Sequence, residues 1–199
     1  MSTQKRSYEL KTRAERQRET RRRIVEATAA LHQEVGPART TVAEIARRAG
    51  VQRLTVYNHF PRERELFAAC QGHFLASHPP PDFSAALALA EPRARVEAAL
   101  LALYRSYRSR QAMTGKVLRD RAVVPDLDAL MRDTFDAQME DLARALARPF
   151  PARSKRMRAA IALALDFSTW ERLEQEGLSD AAGAGLMADL VEIAGGRRR

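Results

Sequence analysis

Apolar residues recur at helical spacing along nearly the whole chain, and no stretch keeps up the turn-bounded alternation that a strand requires. That pattern sets the fold class as all-α. Ile24, Ala27, Leu31 and Val35 make one stripe, so a first helix runs to about Val35 and stops at Gly36-Pro37. Upstream the pattern thins. Leu10, Ala14 and Gln17 extend the stripe backwards, yet residues 1–23 are otherwise mostly Arg, Lys, Glu and polar, which leaves residues 1–20 as either more helix or a basic arm disordered without a partner.

A shorter and more specific pattern follows. Thr41-Val42-Ala43-Glu44 is a capping box, with the Thr41 hydroxyl placed for the Glu44 amide and the Glu44 carboxylate for the Thr41 amide. Ile45, Ala46 and Ala49 give the short helix an inner face, and Gly50 ends it by accepting a left-handed backbone. Val51 packs the turn, and a second short helix runs from about Gln52 to His59. Two short helices about a glycine turn make a helix-turn-helix, whose second helix can enter the major groove of duplex DNA. The net charge of +9 over 199 residues suits a polyanion, though charge alone does not choose nucleic acid over an acidic membrane. Lysine stands only at Lys5, Lys11, Lys116 and Lys155, so the arginine excess partly reflects coding composition and charge is the weaker signal.

The run Thr40-Thr41-Val42-Ala43-Glu44-Ile45-Ala46-Arg47-Arg48-Ala49-Gly50-Val51, then Thr55-Val56-Tyr57-Asn58-His59-Phe60 and Leu66-Phe67, resembles the signature of the tetracycline-repressor (TetR) family over roughly residues 20–70. The resemblance implies a bacterial homodimer of about nine helices, usually a repressor, released from a palindromic DNA operator by a small molecule. An N-terminal three-helix DNA-binding domain over 21–66 would then precede a helical ligand-binding and dimerisation domain over 67–199. Two positions depart from the family pattern: Leu54 stands where a small residue is usual, and Glu63 where a lysine usually opens the next helix. Leu54 suits apolar contact with a thymine methyl; Arg62 or Arg64 would have to replace the phosphate contact missing at Glu63.

Side-chain chemistry assigns roles within the DNA-binding set. The planar fork of Arg53 matches guanine O6 and N7, and Gln52 is a second base-reading candidate that competes with a role as helix cap. By resemblance, Thr55, Tyr57 and His59 hydrogen-bond phosphates or sugars, while Asn58 serves either purpose. Thr41, Arg47 and Arg48 complete the set from the preceding helix, the two arginines being equally well read as a solvated face. Lys5, Arg6, Lys11 and Arg13 are either a DNA-contacting arm or a solubilising tail, and Arg197-Arg198-Arg199 reads as a frayed end.

Beyond Pro61 a connecting helix carries Leu66, Phe67, Cys70, Phe74 and Leu75 to the stop at His78-Pro79-Pro80-Pro81. Further helices are expected over 92–111, from Pro125 to Pro149, over 152–176 and from Ser179 onward. The segment Ala159–Phe167 is apolar nearly all round, which asks for cover on more than one side. The family resemblance places a four-helix dimer interface on the last two long helices. It also implies a ligand pocket, for which Tyr104, Tyr107, Met131, Phe135, Met139, Phe167 and Trp170 supply candidate walls, although aromatics and methionines at these spacings are more often ordinary core. Asp166, a carboxylate inside an apolar helical run, must be paired, neutralised or exposed, or else receive a cationic ligand. The expected ligand is thus a small hydrophobic or cationic compound.

No Gly-rich phosphate loop, HExxH or GxSxG appears, and no cofactor motif, so no catalytic residues are assigned. His73 and His78 are five apart and share no helical face, so no metal site is expected. Cys70 reads as a buried core thiol rather than a redox sensor. A lone cysteine, no apolar signal core and no membrane-length window point to a soluble, cytoplasmic protein. The alternative from another class is an architectural or DNA-coating protein that uses the same elements without a small-molecule effector.

Overall fold

In the computed structural model the described residues are 2–150 and 155–196, with side chains described from Lys11 onward. The side chains of Lys5 and Arg6, residues 151–154 and the tail Arg197-Arg198-Arg199 lie outside them. All regular structure among the described residues is helical: α1 (Ser2–Glu34), α2 (Val42–Ala49), α3 (Arg53–His59), α4 (Glu63–Ser77), α5 (Ser84–Ala88), α6 (Pro92–Asp120), α7 (Pro125–Met131), α8 (Ala137–Ala147), α9 (Lys155–Leu165), α10 (Phe167–Gln175) and α11 (Asp180–Ala194). The helix expected from Pro125 to Pro149 is present, with one wide π turn over Arg132–Asp136 joining α7 to α8.

The chain divides into two compact units. One holds the chain up to His78 with Ala112–Leu130, and the other Pro79–Gln111 with the chain from Met131 onward. α6 runs nine residues past the expected end near Gln111, so its first part belongs to the second unit and its last part to the first. The connecting helix α4 also sorts with the helix-turn-helix rather than with the remainder, because Leu66, Phe67 and Cys70 are buried and α4 packs on α1.

In the first unit the α1 stripe meets α2, α3 and α4 in one core, made by Ile24, Val25, Ala27, Leu31, Ile45, Ala46, Ala49, Val56, Phe60 and Leu66. Each large side chain fully removed from water there contributes about 1.5–3 kcal/mol. Val35, expected on that stripe, is 38% exposed because the chain already turns away at Gly36. Gly36 has φ 91°, and a Cβ there would strike the Asp120 carboxylate and the Arg119 guanidinium, so only glycine fits. Asp120, buried at the end of α6, accepts from the Ala38 amide at 3.0 Å and from Arg119 Nε at 2.7 Å, which anchors the loop after α1. Beside it His32 is buried, with Nδ1 3.5 Å from Cys70 Sγ and its ring 5.7 Å from that of Phe67. Burial pushes the His32 imidazole down to about 4, against the opposing pull of Asp120, and pushes the Cys70 thiol up to about 12.

The segment 1–20, for which the sequence allows either arm or helix, continues α1 from Ser2. Its Arg, Lys, Glu, Gln and Ala are good helix formers, and Arg22 bridges Glu19 and Glu26 at 2.7 and 2.6 Å one turn to either side.

In the second unit Val96, Ala99, Leu100, Leu103, Tyr104 and Tyr107 form the buried face of α6, and α9 packs against α8, α10 and α11. The helix expected over 152–176 is not continuous. Asp166 takes an extended backbone (φ −71°, ψ 135°) and separates α9 from α10. Its carboxylate caps α10, accepting from the Ser168 amide at 2.7 Å and the Ser168 hydroxyl at 2.5 Å. The break also leaves the last carbonyls of α9 without helical partners, and α6 supplies them: Tyr104 donates its hydroxyl to Ala164 O at 2.9 Å and Tyr107 to Leu165 O at 2.7 Å. Among the described residues no buried side-chain polar atom is left without a hydrogen bond.

Candidate nucleic-acid interface

Thr41 is the N-cap of α2 (φ −108°, ψ 149°), and its hydroxyl accepts from the Glu44 amide at 3.2 Å. The reciprocal half of the expected capping box is replaced: Glu44 takes Arg47 Nε at 2.9 Å and an Arg47 terminal nitrogen at 2.5 Å. A charged fork one turn along is the stronger donor for a carboxylate than a backbone amide. Gly50 ends α2 at φ 63°, ψ 43°, the left-handed cap that the sequence requires there. From α1, Arg23 donates to the carbonyls of Ala49 and Gly50, the latter at 3.1 Å, and a Cβ on Gly50 would come within 2.7 Å of that guanidinium. Sequence reasoning missed this tie, since nothing about Arg23 separates it from the basic residues around it.

α3 then presents one face inward and the rest outward. Val56 and Phe60 are buried, as expected of core positions. Gln52 stands at the N-cap position, but its side chain makes no cap bond, so the amide is free for other work. Gln52, Arg53 and Asn58 are exposed, Leu54 is 65% and Tyr57 54% exposed, and Thr55 and His59 are half-buried at the flank. Arg53 has no carboxylate partner among the described residues, whereas Arg47 and Arg48 are held by Glu44 and Glu34, the Arg48 bonds being 2.6 and 2.8 Å. These arginine hydrogen bonds keep both glutamates below the usual carboxylate range. Exposed pairs of this kind are weak enough for a phosphate to displace. Glu63 lies exposed in the first turn of α4, and Arg62, one of its two expected substitutes, is bonded to Glu65 at 2.8 Å.

The side chains expected as pocket walls are largely packed together. Tyr104, Tyr107, Met131, Phe167 and Trp170 are buried, Met139 and Phe135 half-buried, with Phe135 in the π turn. Tyr107 meets Phe167 edge-on (5.2 Å, 80°) and Trp170 at 5.9 Å, and its hydroxyl lies 3.9 Å from Met139 Sδ. The Trp170 indole donates to Asp180 at 3.1 Å, and Asp180 also takes Arg108 Nε at 3.0 Å. Burial pushes the Asp180 carboxyl upward, but those bonds outweigh it and hold it below its ordinary range. Burial likewise pushes both tyrosine hydroxyls up. Asp166, expected within an apolar run, is instead exposed at the helix break and engaged as a cap. Among the described residues no three His, Cys, Asp or Glu side chains are grouped to hold a metal ion, and no helix is long and apolar enough to cross a membrane.

A capped helix, a left-handed glycine turn and a second helix with an exposed polar face, set on a larger helical chain, define a helix-turn-helix regulator that binds DNA. Residues 24–70 match the family of bacterial regulatory proteins, tetR family, so this segment of the chain is similar to that family's DNA-binding domain. No curated protein matches the sequence. Among solved structures, the fold is similar to PfmR, a TetR family transcriptional regulator from Thermus thermophilus, at TM-score 0.59 and 20% identity, over 88% of this chain and 99% of that one. It is also similar to a TetR-like transcriptional regulator from Rhodococcus sp. RHA1 (TM-score 0.57, 20% identity, 87% and 93% of the two chains). A third likeness is to the ketosteroid transcriptional regulator KstR2 of Mycobacterium tuberculosis (TM-score 0.51, 17% identity, 88% and 92%). At these identities the likeness is one of fold.

Proposed function

We propose that the protein is a cytoplasmic homodimeric repressor that reads a palindromic duplex operator through α3 and leaves it when a small hydrophobic or cationic molecule binds. The observation that carries this reading is the α3 face, where Gln52, Arg53, Leu54, Tyr57 and Asn58 are exposed and the Arg53 fork is unpaired among the described residues. Arg53 and Gln52 read base edges, Leu54 meets a thymine methyl, and Thr55, Tyr57 and His59 hold phosphates. Thr41, Arg47 and Arg48 approach the backbone once DNA displaces the glutamate partners of the arginines.

Assembly is supported by a second exposed surface. Leu163 on α9 and Leu186, Leu190 and Ile193 on α11 are 57%, 42%, 44% and 65% exposed, while the opposite sides of both helices are buried in their own chain. Large aliphatic side chains exposed on two helices that pack on each other suit a surface that a second copy covers, and a two-fold dimer matches a palindrome. Release requires a ligand that favours the DNA-incompetent arrangement, since equal affinity for both shifts nothing. The walls that would admit it are Tyr104, Tyr107, Met131, Phe135, Met139, Phe167 and Trp170, with Asp166 at the edge for a cationic group, and the aromatic packing must open to do so.

Selection of bound sites from random duplex DNA, with sedimentation of protein and complex, tests the whole reading. A palindrome with half-sites about one or two helical turns apart, bound by a dimer, is the expected result. Protection spreading along unrelated sequences would instead make the chain a DNA-coating protein. Leu163→Arg, at a site exposed in the protomer, should leave the melting curve of the protomer intact while splitting the dimer and weakening operator binding. A wild-type monomer that binds the palindrome tightly would remove the symmetric arrangement. Small molecules that both quench Trp170 fluorescence and release the operator would identify the effector class.

A further inference from the structure

Beside the recognition helix lies an open cleft of about 600 Å³, walled by Gln17, Arg18 and Arg21 of α1 on one side and by Thr55, Asn58 and His59 of α3 on the other. Each wall is a single helix face, since the residues recur at three- and four-residue steps. Ala14, the next lining residue along α1, adds little bulk and keeps that end of the cleft open.

The arginines of this face differ from those next to them. Arg22 is held between Glu19 and Glu26, and Arg23 is taken by the carbonyls that close α2. Arg18 is exposed with no carboxylate partner among the described residues. The Arg21 guanidinium sits 4.7 Å from the centroid of the Phe60 ring, which holds it in place and leaves its charge unneutralised. Two free cations therefore face the polar flank of α3 across a trough, on a helix that continues towards Ser2.

The dimensions decide what fits the trough. An α-helix with its side chains is about 10–12 Å across and the major groove about 12 Å wide, so α3 alone fills the groove it enters. A second helix alongside cannot reach base edges in that groove; it meets the strand that borders it. We propose that the α1 face carrying Gln17, Arg18 and Arg21 is a second DNA-contacting surface, which grips the sugar–phosphate strand lying in the cleft between α1 and α3. This rests on the DNA-binding reading above and adds to it a surface outside the helix-turn-helix. Phosphate contacts fix position and affinity without reading sequence, so this face governs salt dependence and register, while Arg53 governs preference.

The test uses the full-length protein and its selected operator. Each phosphate that is no longer neutralised should reduce the steepness of log affinity against log salt by about 0.9, so on a two-headed complex Arg18→Ala should lower the slope by about 2 and Arg18→Ala/Arg21→Ala by about 4. The selected sequence should not change, and ethylation of the bordering phosphates should block the wild type but not the double variant. Arg21→Ala also removes the packing of its guanidinium on Phe60, so Arg18→Ala, at an exposed site, is the variant that leaves the packing of the domain intact. An unchanged slope in Arg18→Ala, with binding otherwise as in the wild type, overturns the α1 surface and leaves the regulator standing. Altered preference at defined base pairs overturns it too, because the side chains would then be reading bases. A wild type that selects no duplex sinks the regulator reading itself, and this surface with it.

Discussion

On α3 the Tyr57 side chain is exposed and its hydroxyl has no partner among the described residues; in the second unit the Tyr104 and Tyr107 hydroxyls are both bonded to carbonyls at the end of α9. The charged groups divide in the same way. Arg53 is free among the described residues, whereas Arg108 is joined to Asp180, which also receives the Trp170 indole. Residue type alone therefore says little about availability. Groups that close backbone and side-chain valences inside a fold are already employed, and groups held outward without partners remain available to a ligand.

That contrast can be broken most forcibly at Trp170. Trp170→Ala should destabilise the protein by about 3–5 kcal/mol in urea melts, since it opens a cavity among Tyr107 and Phe167 and takes the indole donor from Asp180. Leu54→Ala, at a side chain 65% exposed, should stay within about 0.5 kcal/mol of the wild type. Similar losses at both sites would mean that α3 is packed rather than presented.

The first unit has its own employed group in His32. Folded, it stays neutral down to about pH 4; unfolded, it takes a proton near its ordinary value of 6.5. Between those values the unfolded chain binds more protons, so this contribution is fully present above about pH 6.5 and is lost as pH falls towards 4, with a ceiling of about 3 kcal/mol. Subtracting the stability–pH profile of His32→Gln from that of the wild type should isolate the difference in this window. Parallel profiles would show that the imidazole reaches water in the folded state.

Tyr107→Phe should cost about 1–3 kcal/mol by leaving the Leu165 carbonyl without its donor, whereas Tyr57→Phe should cost nothing in stability and weaken operator binding. Equal melting points for Tyr107→Phe and the wild type would show that the carbonyl finds another donor. Among the groups employed inside the fold, the smallest effect belongs to Asp166. Asp166→Ala should cost about 1 kcal/mol through loss of the cap on α10, and Asp166→Asn should largely restore it, because asparagine caps as well. Full loss in Asp166→Asn would indicate that the negative charge, not the cap bond, matters there.

Legibility in the sequence follows the range of the interactions. The cap at Thr41, the left-handed turn at Gly50 and the buried positions Val56 and Phe60 are local matters of a few residues, and the sequence displays them directly. The break at Asp166 is different. Its neighbours read as one apolar helix, and what stabilises the interruption comes from Tyr104 and Tyr107, about sixty residues earlier. The pocket walls rest on residue type, and the same tyrosines that suit a ligand also suit two stranded carbonyls. The sequence does not decide the state of residues 2–20, because propensity and ion pairing argue for helix while low hydrophobicity argues for disorder. The π turn at Arg132–Asp136 leaves no mark in a periodicity that reads the same on both sides of it.

The guanidinium of Arg23 on the carbonyls of Ala49 and Gly50 has a kinetic consequence. α2 is eight residues long, too short to persist as an isolated helix in water, and its C-terminal dipole end is neutralised by a charge that belongs to α1. Fraying of the C-terminal end of α2 must therefore break a tie to α1, and the amide protons at that end should exchange with solvent more slowly than those of the exposed N-terminal part of α1. α3, on the far side of that turn, thus starts from an anchored end of α2. Sliding along nonspecific duplex would then be performed by a preformed reading surface rather than by one that folds at each encounter.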